Sequence, residues 1–291
     1  MAYNYPPEKS GSQMHEHPPN YAEATSTSPH SSILSTPSTT TTPTPNTYLD
    51  HDPDSQYPLR GQDTRFAMLS LSSSDKIRFI RFPEPITALA SEVVLGLWPK
   101  GIQKVQRYDD SLELKLKGNP LAHGYDEEKV AIRVTLMGIL NSFAKEGWLV
   151  APAGRVARMG NYSSWGQKDS LIFHYQQPRA HSWLCISFDS ADLLHLINAP
   201  TQLATALINY FGDRVEACNK DFVSGNFELK FKGTPWTKSN GKGSVQSRLI
   251  VLDLMQCLEE QGYTMCTALD IDGGSGGSNY QSNGELWFWY R

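Results

Sequence analysis

The segment Leu112-Glu113-Leu114-Lys115-Leu116-Lys117-Gly118 returns later as Phe227-Glu228-Leu229-Lys230-Phe231-Lys232-Gly233, with Glu228 lying 115 residues after Glu113. The same spacing pairs Arg133 with Arg248, Leu140 with Met255 and Gly147-Trp148 with Gly262-Tyr263, and it sets Leu171 to Tyr175 against Leu286 to Tyr290. A repeat of this length is a whole supersecondary unit made twice, so any fold for this chain must accommodate two copies of one design.

Composition separates the repeats from what precedes them. Of the 26 basic and 30 acidic residues, 3 and 7 respectively fall before Asp75, so the remainder carries 23 of each. The first 74 residues are dominated by Ser, Thr and Pro. Such a segment buries too little apolar surface to offset its backbone entropy, which predicts a disordered tail over residues 1–74. The neutral remainder argues against a broad nucleic-acid or anionic-membrane surface. The N-terminus has neither the basic start nor the apolar run of a secretory leader. The four cysteines, Cys185, Cys218, Cys257 and Cys266, form no Cys-x-x-Cys pair and have no histidine pair at zinc spacing. The expectation is reduced thiols, no cofactor, no metal, and a cytoplasmic or nuclear setting.

Within the repeats, apolar periodicity alternates between strand and helix. Ile77 to Phe82 reads as a strand, Ile86 to Trp98 as a helix, and Ile102 to Lys117 as one or two strands. Lys129 to Lys145 is a strongly amphipathic helix, with Gly147 just past its end. The second copy follows suit: a strand from Trp183 to Phe188, helix over Ala191 to Phe211, strands from Val215 to Lys232, and a long helix from Val245 to Glu260. These readings give an α+β fold of two tandem lobes, 75–178 and 179–291. Each lobe is β-α-β(β)-α-β-β with a mixed sheet, the strands flanking its long helix are neighbours, and a pseudo-twofold relates the two lobes. Trp287 and Trp289 point to one face of the last strand and Phe288 and Tyr290 to the other, so that strand is expected to be buried on both sides.

The chemistry-bearing residues are few. Repeated side chains on one strand face plus a helix arginine make two candidate sets: Glu113, Lys115, Lys117 and Arg133, and then Glu228, Lys230, Lys232 and Arg248. Lysines two apart on a strand share a face, and an arginine early in the next helix suits a phosphate or carboxylate beside them. The competing expectation is structural, with Arg133 and Arg248 paired to Glu113 and Glu228 or to strand-end carbonyls. Lys238 to Ser244 resembles a phosphate loop in position only. Gly243 separates Lys242 from Ser244, and Trp236 stands where the first glycine belongs, so Ser244 is read instead as a helix N-cap. Gly273 to Ser278 reads as a flexible link, and Asp270 and Asp272 as turn carboxylates. No nucleophile elbow, His-Glu-x-x-His or other catalytic pattern is present.

The tail contributes Pro18-Pro19-Asn20-Tyr21, the Pro-Pro-x-Tyr pattern that WW domains take up, its prolines preorganised in polyproline II geometry and its tyrosine filling an adjoining pocket. Pro18, Pro19 and Tyr21 are therefore the expected partner-binding residues, for a WW-domain protein such as a ubiquitin ligase. The sequence reads as an interaction protein, rather than an enzyme, whose core binds a second partner. The alternative is a small-molecule or anion-binding protein with its site on the Glu-Leu-Lys strand and the inter-lobe cleft.

Overall fold

The computed structural model describes residues 65–121, 126–156, 168–221, 226–238, 240–271 and 282–291. The segment before Arg65, the motif Pro18 to Tyr21, the link Gly273 to Ser278 and Asp272 lie outside the described residues.

Each repeat is a ββαββαββ unit. The first runs β1 (Phe66–Ser72), β2 (Lys76–Ile80), α1 (Glu84–Leu97), β3 (Ile102–Tyr108), β4 (Ser111–Leu116), α2 (Asp126–Lys145), β5 (Trp148–Val156) and β6 (Ser170–Tyr175). The second runs β7 (Trp183–Asp189), β8 (Leu193–Ile197), α3 (Thr201–Phe211), β9 (Val215–Asp221), β10 (Asn226–Phe231), α4 (Gly241–Glu260), β11 (Thr264–Asp270) and β12 (Ser282–Tyr290). The six strands of each unit form one sheet, ordered β3-β4-β2-β1-β6-β5 in sheet A and β9-β10-β8-β7-β12-β11 in sheet B. The chain is thus an α+β protein of two tandem repeats.

Several expectations need correction. Ordered structure starts ahead of Asp75: Phe66–Ser72 is the strand β1, pairing with both β2 and β6 at the centre of sheet A, with Leu69 and Leu71 fully buried. An apolar cluster next to a polar segment is part of the fold because its alternation matches a pleated, half-buried strand. Leu193–Ile197 is likewise the strand β8, not the start of a helix. Asn198 at φ 65 and Pro200 as N-cap separate it from α3. Every pairing is antiparallel. The strands flanking the long helix are not neighbours, because β2, β1 and β6 lie between β4 and β5.

Superposing the pairings shows where sequence spacing and spatial equivalence part. Ser70 pairs with Arg78 as Ser187 pairs with His195, so the opening hairpins correspond at a spacing of 117. Ala67 pairs with Phe173 as Leu184 pairs with Trp289, so the closing strands correspond at 116. The apparent match of Leu171–Tyr175 with Leu286–Tyr290 is therefore one residue out of frame. In a strand, one residue exchanges the two faces. The true counterpart of Phe173 is Trp289, and each is buried beneath its own unit's helices.

Helices α1 and α2 pack on one face of sheet A, and α3 and α4 on the equivalent face of sheet B. The units then stack. The opposite face of sheet B, carrying Trp183, Cys185, Ile197, Leu286 and Phe288, joins the first unit's core against α2. As expected from its large side chains, β12 is covered on both sides, with Trp289 in one core and Phe288 in the other. The layers run sheet A, α1 and α2, sheet B, α3 and α4. A twofold would bring like surfaces together, but here a helix of one unit meets the sheet of the next, a head-to-tail contact. Gly147 turns the chain from α2 into β5 at φ 85, with Gln176 O only 2.5 Å from where a Cβ would stand. Among the described residues, no helix is long and apolar enough to cross a membrane.

Because β1 is a central strand, a chain begun at residue 75 is expected to lose cooperative urea unfolding that a chain begun at residue 65 retains. Leu71→Ala in the full chain should cost about 2–5 kcal/mol in the same measurement.

Candidate functional site

Helix α2 is held on sheet A by Ile132, Leu136, Ile139 and Phe143, all buried and spaced three or four apart on one face. About a quarter-turn round the helix, Val130, Arg133, Met137, Leu140 and Ala144 form a second face directed at sheet B. On the facing sheet, β7 ends in Asp189. Ser190, at φ 53, turns the chain back into β8, which carries His195 opposite Ser187.

Arg133 reaches across this joint. Its Nη1 donates to Asp189 Oδ2 at 2.9 Å and its Nη2 to Oδ1 at 2.8 Å, a two-pronged charge-assisted pair. Ser187 Oγ donates to Asp189 Oδ2 at 3.0 Å, and His195 Nδ1 lies 3.5 Å from Arg133 Nη1 and 3.6 Å from Asp189 Oδ2. Burial by itself would raise the Asp189 carboxyl. The neighbouring His195, together with the charge and the two hydrogen bonds of Arg133, outweighs burial and holds it well below the usual carboxylate range. Nearby on β7, burial pushes the Cys185 thiol up to about 12 against the opposing pull of Arg133, which leaves it unreactive. All four cysteines are free.

The pair closes one end of a cleft of about 520 Å³ between the units, lined among others by Lys129, His195, Asn219, Asn226 and Glu228. A second, apolar cavity of about 230 Å³ lies farther along the joint between Leu140, Ala144, Trp148, Trp183 and Tyr290. At another point Asp169 binds the units together. It pairs with Arg155 Nε at 2.7 Å and accepts from the backbone nitrogen of Asp270 at 2.7 Å, while Arg155 Nη1 lies 3.6 Å from Glu285.

Of the eight candidates on the repeated strand and helix, only Arg133 and Glu228 come together in the cleft. Glu113 is buried on the outer face of sheet A, bound by Arg78 Nε at 2.6 Å and Lys76 Nζ at 3.4 Å. Lys115 lies 3.7 Å from Asp75, and Lys230 lies 3.1 Å from Glu216 and 4.0 Å from Asp192. Lys117 and Lys232 are exposed at strand ends. Glu228 accepts from Asn219 at 3.5 Å. The expected pairing of Arg133 with Glu113 and Arg248 with Glu228 does not occur. Arg133 sits on the helix face turned away from its own sheet, and Arg248, on the same face of α4, bonds back to the carbonyl of Ser244 at 3.0 Å and to its hydroxyl. The N-cap of α4 is Asn240, whose side chain accepts from Gly243 N at 2.7 Å, in place of Ser244. Among the described residues no cluster of His, Cys, Asp or Glu could hold a metal ion.

Sequence reasoning missed Asp189 and His195 because it sought residues the repeats share. The signal lay in where they differ: Asp189 stands at the position of Ser72, and His195 at that of Arg78. Sheet A supplies its own cation for its glutamate, whereas sheet B receives one from α2.

Arg133→Ala should cost about 3–5 kcal/mol in urea unfolding at neutral pH, because it strands a buried carboxylate, while Arg133→Met combined with Asp189→Leu should recover most of that loss. A carboxyl held low when folded contributes stability that is present above the ordinary carboxylate range and lost as pH falls below about 4. The stability difference between the intact chain and Asp189→Asn should therefore shrink as pH is lowered from 6 toward 3.

One protein-family model matches the chain twice, over residues 65–174 and 182–289, which is one match for each ββαββαββ unit. No curated protein and no solved structure matches it. The chain belongs to the family this domain defines and carries two copies of the domain in tandem.

Proposed function

We propose that this is a non-enzymatic interaction protein whose duplicated core presents a protein-binding surface and whose N-terminal segment recruits a WW-domain partner through Pro18, Pro19 and Tyr21. The observation that supports it most is a contrast. The buried ionisable side chains at the joint are engaged with one another: Arg133 bonds to Asp189 and His195, and Ser187 bonds to Asp189. Meanwhile Val245, Leu249 and Leu252 stand 58%, 51% and 60% exposed along one stripe of α4. An apolar stripe at helical spacing on a surface marks a place for another protein. A catalytic centre would need a reactive group with unused valence in the cleft. Of the two cysteines at the joint, Cys185 is instead sealed in the core, and burial pushes the half-buried Cys266 thiol up to about 12.

The cleft itself favours a second reading, a small polar ligand between the units. Its volume suits one. Its lining mixes Lys129 and Arg133 with Glu127, Asp189 and Glu228. That balance suits a ligand bearing both donors and acceptors over a bare anion.

Two measurements test these readings. Titration of an isolated WW domain against the full chain should show binding that Pro19→Ala with Tyr21→Ala weakens by about tenfold or more, ~1.4 kcal/mol or above. Equal affinity for both chains overturns the tail's role. Inorganic phosphate at millimolar levels should leave the melting temperature of the full chain unchanged, and a saturable rise would favour the anion site instead.

A further inference from the structure

The apolar stripe on α4 has a counterpart whose partner is visible. At the 115-residue spacing, Val245, Arg248, Leu252, Met255 and Glu259 correspond to Val130, Arg133, Met137, Leu140 and Ala144 of α2. Those α2 residues form the face that seats on the back of sheet B. Val130 and Arg133 meet Asp189 and His195, while Leu140 and Ala144 meet Trp183 and Tyr290. The corresponding face of α4 is left open, with Leu249 extending it by one more exposed apolar side chain.

The surface that would receive it is also open, at the other end of the stack. The back of sheet B offers Trp183, Cys185, Ile197 and Phe288 to α2. By strand pairing, the same positions of sheet A hold Phe66, Met68, Ile80 and Ile172. Phe66 is 56% exposed and the other three are half-buried. Even the aromatic contact recurs: Trp183 packs on Tyr290 with centroids 5.7 Å apart, and Phe66 stacks on His174 at 4.5 Å. The molecule therefore carries one free copy of each half of an interface it already makes internally.

Building on the reading of the core as an interaction module, we infer that its partner is a second copy of this chain, with the outer face of α4 in one copy seated on the outer face of sheet A in the next. The contact is heterologous, so it adds copies in line instead of closing a pair. It is weaker than the internal joint. Ser72 stands where Asp189 does and Arg78 where His195 does, so Arg248 meets no carboxylate at the first place and a like charge at the second, while the nearby Glu113 is already bound by Arg78 and Lys76. Apolar burial carries the contact, helped by Glu259, which falls at Ala144's place and so faces the Phe66–His174 pair and neighbouring Arg65. Association is accordingly reversible and concentration-dependent.

The test is sedimentation velocity on the full chain from micromolar to near-millimolar concentration, with two exposed-site variants, Leu252→Asp on α4 and Phe66→Asp on sheet A. The intact chain should sediment faster as concentration rises. Each variant alone should stay monomeric, and an equimolar mixture of the two should form a one-to-one dimer and nothing larger, because each supplies the face the other lacks. An intact chain that stays monomeric overturns the inference, as does association that survives either substitution or a mixture that fails to restore it. Hydrogen exchange on the same samples separates the failures. If the intact chain is monomeric and α4 is protected relative to Leu252→Asp, another segment of the same chain covers the stripe, which overturns the second-copy partner and leaves the interaction surface standing. If α4 exchanges equally in both, the surface reading of the core falls with it.

Discussion

The middle of sheet B, strands β7 and β12, is covered on both faces, and that constraint shapes most of the molecule. Every residue of β7 is buried, whereas β1, its counterpart, alternates between buried and partly exposed. The difference arises because α2 is shared: one face lies on sheet A and the face about a quarter-turn round from it lies on sheet B. A helix used on both faces must be apolar over most of its circumference, and α2 is, from Val130 and Ile132 through to Phe143 and Ala144. The one strongly polar residue that this double burial encloses is Arg133, and an isolated guanidinium there would be prohibitive. Asp189 answers it with matched geometry, and Ser187 and His195 fill the remaining positions around the carboxylate. Such a pair contributes less to net stability than to the choice of register, since only one placement of sheet B over α2 brings fork and carboxylate together.

Much of the fold could be read from the residues, and the misses share a cause. The long helices, the duplication and the double burial of β12 followed from periodicity and side-chain size alone. The strands β1 and β8 did not. Phe66–Ser72 adjoins a Ser/Thr/Pro-rich segment that colours its local composition, and Leu193–Ile197 is four aliphatic residues around His195, without the alternation of a half-buried strand. Both are central strands, whose identity rests on neighbours brought from elsewhere in the chain. The frame of β12 was hidden for a related reason. Leu-Ile-Phe-His-Tyr and Leu-Trp-Phe-Trp-Tyr align well as letters, but burial on both faces lets a one-residue shift pass without placing a polar group in the core.

The candidate site was readable only in part. Arg133 and Glu228 stood out because the repeats share their types, yet shared residues mainly mark what each unit needs to fold by itself: Glu113 with Arg78, or Lys230 with Glu216. The joint is written in the exceptions. Ser72 became Asp189, Arg78 became His195, and Ala144 became Glu259 in the unit whose helix has no sheet above it. In a duplicated protein, positions where the copies disagree in charge are the better guide to how the copies meet.

The layering also has a temporal side. The core beneath α3 and α4 is composed of second-unit residues alone, whereas the core around α2 draws on both units. During synthesis the first unit is complete with β6, just ahead of β7, but β7 gains its second neighbour only when β12, close to residue 290, has been made. Throughout that interval α2 shows the ribosome's surroundings an apolar face with a lone arginine at its centre. A nascent chain in that state is a natural client for holding factors that recognise exposed aliphatic side chains. The step that releases it is the docking of a finished sheet, with Asp189 arriving on Arg133, and not the folding of the helix itself.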